Sequence, residues 1–212
     1  MTRLSHLFIA LLIVSVAAAQ NRHDLTTLRG WEHSEAMGDL DRDGISDLVV
    51  IATPDDKAHI LTNEETGSSR NLNRPVLAIF KGNSQNQFTP WKFYDEVMPV
   101  GDEYLFVEYS VSITDKGVLR ISTSSWASAG GWGQTEHTYV FRFQNGDFYL
   151  IGEDEHCVMR NTGEDTTDSY NYLTHKHQRV VTNAFKDVKV KPKETWKSIP
   201  REPLKRLGEE EL

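Results

Sequence analysis

One cysteine, Cys157, occurs in 212 residues. An intramolecular disulfide is therefore excluded, and an oxidising compartment would have to be survived by packing or by a metal. Cys157 reads most simply as a small buried apolar residue. A catalytic thiolate would need a base, and the adjacent His156 points to the opposite face if this stretch is a strand. Signatures of common chemistries are also missing: there is no GxSxG, HExxH, GxxxxGK or GxGxxG, which removes the readable serine-hydrolase, zinc-protease and phosphate-cradling classes. No segment carries a sustained amphipathic helical stripe of 12 or more residues, so a helical bundle is excluded. Positive charge is scarce as well. The formal net charge is −8, and residues 20–185 hold 14 Lys and Arg against 25 Asp and Glu, a balance that argues against nucleic acid as a partner.

Long apolar runs are confined to the start, where MTRLSHLFIALLIVSVAAAQ has a cationic Arg3, an apolar stretch from Leu7 to Val16 and small residues at Ala17 and Ala19. This is the pattern of a secretory signal peptide over residues 1–19. The stretch is well short of the roughly 20 residues a bilayer span needs, and no cysteine follows to accept a lipid. Cleavage after Ala19 is expected, giving an exported periplasmic or extracellular chain with no transmembrane segment; the competing expectation is an uncleaved N-terminal anchor. Residues 20–185 are expected to form a single β-rich domain. Residues 186–212 hold 8 Lys and Arg against 6 Asp and Glu and read as a basic C-terminal tail or strap across the acidic body. Val188, Val190, Trp196, Ile199 and Leu204 are its candidate anchors.

What the chain has in abundance is period-2 alternation after residue 47. In EYLFVEYSVSIT, Leu105, Val107, Tyr109, Val111 and Ile113 share one face, and the turn at Asp115 to Gly117 leads into VLRISTS, which predicts a hairpin. HTYVFRF, the QNGD turn and FYLIGEDEHCVM predict a second. DLVVIAT and VLAIFKG lack alternation and are expected to be covered on both faces. Between them PDDKAHILTNEETGSSRNLNR reads as an excursion loop with one short helical turn. QFTPWKFY, DSYNYLTH and QRVVTNAF complete a mostly β fold, an antiparallel β-sandwich or irregular barrel of about eight to ten strands.

The densest charge lies in GDLDRDGISDLVV. Asp39, Asp41 and Asp43 take positions 1, 3 and 5 of a loop whose sixth residue, Gly44, permits a sharp turn. Ile45 offers a backbone carbonyl at position 7, and Asp47 a carboxylate at position 9. Four carboxylates in one turn repel strongly unless a cation neutralises them, and this spacing suits structural Ca²⁺. An EF-hand would place Glu at position 12, where the chain has Val50, and would flank the loop with helices rather than a strand. The segment resembles the DxDxDGxxDLVV calcium loop of FG-GAP or VCBS-type repeats over about 15 residues. That resemblance implies Asp39, Asp41, Asp43 and Asp47 as side-chain ligands and Ile45 as a carbonyl ligand. A propeller needs several repeats and only one is present, so a full β-propeller is not expected. The later FRFQNGDFYLIGEDEHCVMRNTGEDTTDSYNYLTHK is similar to the C-terminal part of small exported proteins of Gram-negative bacteria, with His175 where a glycine is expected.

SSWASAGGWGQ carries Trp126 and Trp132 among glycines, either a stacking platform for a glycan or protein partner or a cap on one end of the β core. His175 and His177, two apart, would share a strand face and could hold Zn²⁺ with a carboxylate from Glu153 to His156; solvated histidines are the plainer reading. Glu153, Asp154 and Glu155 could serve acid–base chemistry. The expected role is an exported, calcium-stabilised β domain with non-catalytic binding or structural work. The alternative is a secreted or periplasmic hydrolase with a nonstandard carboxylate or histidine site.

Overall fold

The computed structural model describes residues 22–185 and 191–212. The expected leader, and the expected anchors Val188 and Val190, lie outside the described residues. The architecture is two antiparallel sheets packed face to face, and among the described residues neither closes into a barrel. The four-stranded sheet is built from β1 (Glu32–Gly38), β2 (Asp47–Thr53), β5 (Val76–Gly82) and β6 (Phe88–Tyr94), adjacent in that order. The seven-stranded sheet is an uninterrupted meander of β7 (Leu105–Ile113), β8 (Val118–Ala127), β9 (Gly133–Gln144), β10 (Asp147–Met159), β11 (Glu164–Asn171), β12 (Lys176–Asn183) and β13 (Lys193–Ser198). A small hairpin, β3 (Ile60–Thr62) and β4 (Ser69–Asn71), and a 3₁₀ turn at Lys57–His59 occupy the excursion between β2 and β5. The fold is thus a β-sandwich and not a propeller.

Strands β2 and β5 explain their own lack of alternation, because both faces are buried. Val49, Ile51, Leu77 and Ile79 meet Leu119, Ile121, Phe141 and Phe148 of the larger sheet. Leu48, Val50, Val76 and Phe80 on the other face pack under a short helix, α1 (Leu25–Arg29), through Leu28. Each such side chain contributes about 1.5–3 kcal/mol on leaving water. The N-terminus of α1 is capped by Asp24, whose carboxylate accepts the Thr27 N–H. Pro90, which has no N–H to donate, is tolerated in β6 because β6 is an edge strand, and the register shifts beside it.

Both predicted hairpins are present, β7 paired with β8 and β9 with β10, the second with a register shift between Leu150 and Gly152. The third differs. The strand expected over DSYNYLTH begins earlier and stops at Asn171, because the Asn171 side chain accepts the N–H groups of Leu173 and Thr174 and folds NYLTH into a turn. His175 closes that turn at φ 55°, the left-handed conformation that favours glycine. The C-terminal residues also depart from expectation. Lys193–Ser198 pair as the seventh strand of the meander, and Trp196 is 58% exposed rather than an anchor. Leu207 is the buried anchor instead. Its N–H donates to the Phe148 carbonyl, Leu150 donates to Lys205, and Leu212 donates to Val97.

Candidate functional site

The acidic loop joins β1 to β2. Its local shape follows from two left-handed residues, Arg42 at φ 66° and Gly44 at φ 89°, which coil the chain back on itself. Asp39 stabilises the coil by accepting the N–H of Asp43 on Oδ1 and of Gly44 on Oδ2, at 3.0 and 2.8 Å. Asp43 accepts the Ile45 N–H at 2.8 Å. As a result the carboxylates of Asp39, Asp41 and Asp43 converge, with one oxygen from each lying within 4.8 Å of the others, close enough to hold a metal ion. Among the described residues this is the one such group of acidic, histidine or cysteine side chains.

Asp47 is fully buried and fixes the loop from below. Its Oδ2 accepts the Leu40 N–H and its Oδ1 the Gly82 N–H, both at 3.1 Å. It does not belong to the group of three. Ile45 contributes its N–H to the coil, and its side chain lies beside Gly82.

A residue that the loop's sequence does not announce completes the site. Lys81, at the end of β5, places its Nζ 2.7 Å from Asp41, 2.9 Å from Asp43 and 3.1 Å from Asp47. Burial alone would lower the Lys81 pKa, but the hydrogen bonds to Asp41, Asp43 and Asp47 outweigh it and hold the ammonium well above its usual range. Its hydrogen bond to Asp43, followed by that from the Ile45 N–H, depresses the Asp43 carboxyl. Arg42, the loop's own cation, turns away to the Lys116 carbonyl. Three carboxylates, of Asp41, Asp43 and Asp47, therefore share one ammonium, while Asp39 is held by backbone amides. The oxygens that Asp39, Asp41 and Asp43 turn toward one another are a group that can hold a metal ion.

The loop also links the two sheets. A Cβ at Gly82 would collide with the Ser46 carbonyl, and one at Gly117, in the turn between β7 and β8, with the Asp39 carbonyl. Gly38 lies so close to Ile113 that a Cβ there would fall 2.5 Å from Cγ2. Small residues on three strands or turns thus let backbones from both sheets close on the acidic loop.

The remaining sequence candidates do not come together into a second metal site. His177 Nε2–H donates to Asp168 Oδ1 at 2.6 Å, while His175 lies in the turn. His156 pairs with Asp165 at 2.9 Å on the face opposite Cys157, and Cys157 is only partly buried. Trp126 is half-buried on the outer face of the large sheet, stacked on Phe106 with centroids 4.2 Å apart and planes 2° apart. The Arg70 guanidinium lies over Phe106 at 3.7 Å and that of Arg160 over Trp126 at 5.7 Å. Neither tryptophan belongs to the core clusters. Trp132 is 60% exposed, in a loop held by Arg160, which donates to the carbonyls of Ala127, Gly131 and Trp132. No family model, curated protein or solved structure matches the chain.

Proposed function

We propose that the chain is an exported β-sandwich stabilised by Ca²⁺, with a non-catalytic binding or structural role toward a glycan, protein or envelope partner. The observation that carries this reading is the convergence of Asp39, Asp41 and Asp43 in a loop clamped between the two sheets. Their spacing is that of the FG-GAP or VCBS-type loop. Asp39, Asp41 and Asp43 would hold the ion, with Asp47 and the Ile45 carbonyl as the further ligands the resemblance implies. Bound there, the ion supplies charge neutralisation and a cross-link between elements. The chain's own part is to present the oxygens: Asp39 through the Asp43 and Gly44 amides, Asp43 through the Ile45 amide. The exposed Trp132, carried on a loop braced by Arg160, is the recognition candidate that fits a binding role.

Titration calorimetry with calcium chloride on chelator-stripped protein tests the reading. One ion per chain with Kd of about 0.1–1 mM is expected, with binding lost in the Asp41→Ala, Asp43→Ala double variant. Absence of binding at about ten times that range, or equal binding by the double variant, contradicts it.

A further inference from the structure

The inner face of the seven-stranded sheet extends beyond the four-stranded sheet, and there it carries side chains that the acidic loop leaves unexplained. Tyr139, Glu153 and Tyr170 are cross-strand neighbours on β9, β10 and β11, so the pleat sets them side by side on one face. Together with Tyr172 they line a cavity of about 340 Å³, roofed by the C-terminal segment through Pro203 and Leu204. This volume is at the low end of small-molecule sites, too small for more than one compact group. The roof is fixed rather than loose, because backbone hydrogen bonds tie Leu150 to Lys205 and Leu207 to Phe148.

The charge of the lining decides what the cavity can take. The roof's cations are already matched: Lys205 to Glu210 at 2.7 Å and Arg206 to Glu209 at 2.8 Å. Glu211 is matched to Arg74 at 3.1 Å. Glu153 is matched only weakly. Its ion pair is with His137 Nε2 at 3.9 Å, within Coulombic reach but too long for a hydrogen bond, and that Nε2 atom is buried without a hydrogen-bond partner; Lys205, already paired with Glu210, acts on Glu153 through the field alone. Burial first, then Glu153, Glu155 and Glu211, push Tyr139 up to about 12. Burial first, then the bond to Glu153, raises Tyr172.

We propose that this cavity is a binding site for an organic cation, an ammonium centre with a small apolar body, held by the Glu153 carboxylate among the rings of Tyr139, Tyr170 and Tyr172. A carboxylate short of counter-charge amid aromatic rings suits a cation better than a neutral or anionic group, because rings and carboxylate attract the same positive centre. The site shares no residue with the acidic loop and its occupancy does not depend on calcium.

The test is calorimetric titration of the full chain with choline and with 3,3-dimethylbutan-1-ol, its neutral carbon isostere. Choline is expected to bind at one site at least tenfold more tightly than the isostere. Glu153→Gln is expected to weaken choline at least tenfold while thermal unfolding shows it folded, and Tyr170→Leu serves as the second variant. Parallel titration with n-butylamine and with Nα-acetyl-lysine amide separates a free amine from a protein side chain as the source of the ammonium. Equal affinity for choline and the isostere, unchanged choline binding by a folded Glu153→Gln variant, binding of methyl glucoside in preference to every cation, or no cation binding would each overturn the proposal.

Discussion

Lys81 reaches three carboxylates from a strand outside the acidic loop, so replacing it separates its own counter-charge from that of an added ion. Lys81→Met is expected to lower the melting temperature in chelator and to enlarge the gain on adding calcium, because the acids then have no resident cation. Thermal unfolding with and without calcium checks both signs. Asp47 behaves differently, since it is buried and satisfies two backbone amides besides Lys81. Asp47→Ala should cost about 3–5 kcal/mol in denaturant unfolding, the range for breaking a buried charged network. The titrations follow from direction. Asp43 is depressed by Lys81 and the Ile45 amide, so its share of stability is present above the ordinary carboxylate pKa of about 3.9 and is lost as pH falls through the lower folded value. Tyr109 and Tyr139 are pushed up to about 12, chiefly by burial. Their share is present below the unfolded value of about 10 and lost as pH rises through 12. Tyrosinate absorbance should show a class that ionises only near the unfolding edge.

At the scale of elements, the glycines that admit the loop make a graded prediction. Gly44 has a positive φ with open space around it, so Gly44→Ala should cost about 1–2 kcal/mol of backbone strain alone. Gly117 has a positive φ and also abuts the Asp39 carbonyl. Gly117→Ala should therefore cost more than Gly44→Ala, and denaturant midpoints of the two variants check the order. The strands legible in the sequence are those with something to hide. Strands β2 and β5, buried on both faces, and the hairpins of β7 with β8 and β9 with β10 carry apolar patterns that only burial explains. Strand β1 is legible only in retrospect, because its partly buried positions include Ser34, Ala36 and Gly38 among Glu and His. Strand β13 is exposed at every position, so no apolar period marks it. Lysine and glutamate on such an edge also discourage further pairing. The three clustered aspartates are adjacent in sequence and were readable from spacing. Lys81 arrives from a strand about forty residues away, and nothing in a single sequence brings it to the loop. Hydrophobicity alone marks Trp196 as an anchor, yet pairing with β12 leaves it in solvent while Leu207 takes the buried place.

The whole molecule is held from two ends. The acidic loop brings β1, β2, β5 and the β7 to β8 turn together, and the C-terminal residues tie β10 to the Val97 segment through Leu207 and Leu212. With no intramolecular disulfide available, a cation in the loop is the proposed chemical cross-link. At ten times Kd such an ion adds about 1.4 kcal/mol, which for a chain of this size corresponds to roughly 3–6 °C in melting temperature. The most direct measurement is the melting temperature of the wild-type chain and of the Asp41→Ala, Asp43→Ala variant, each in millimolar calcium and then in chelator. A rise of that size is expected for the wild type, reversed by chelator and absent in the variant. A wild-type melting temperature indifferent to both additions, or a variant that gains as much from calcium as the wild type, would contradict it.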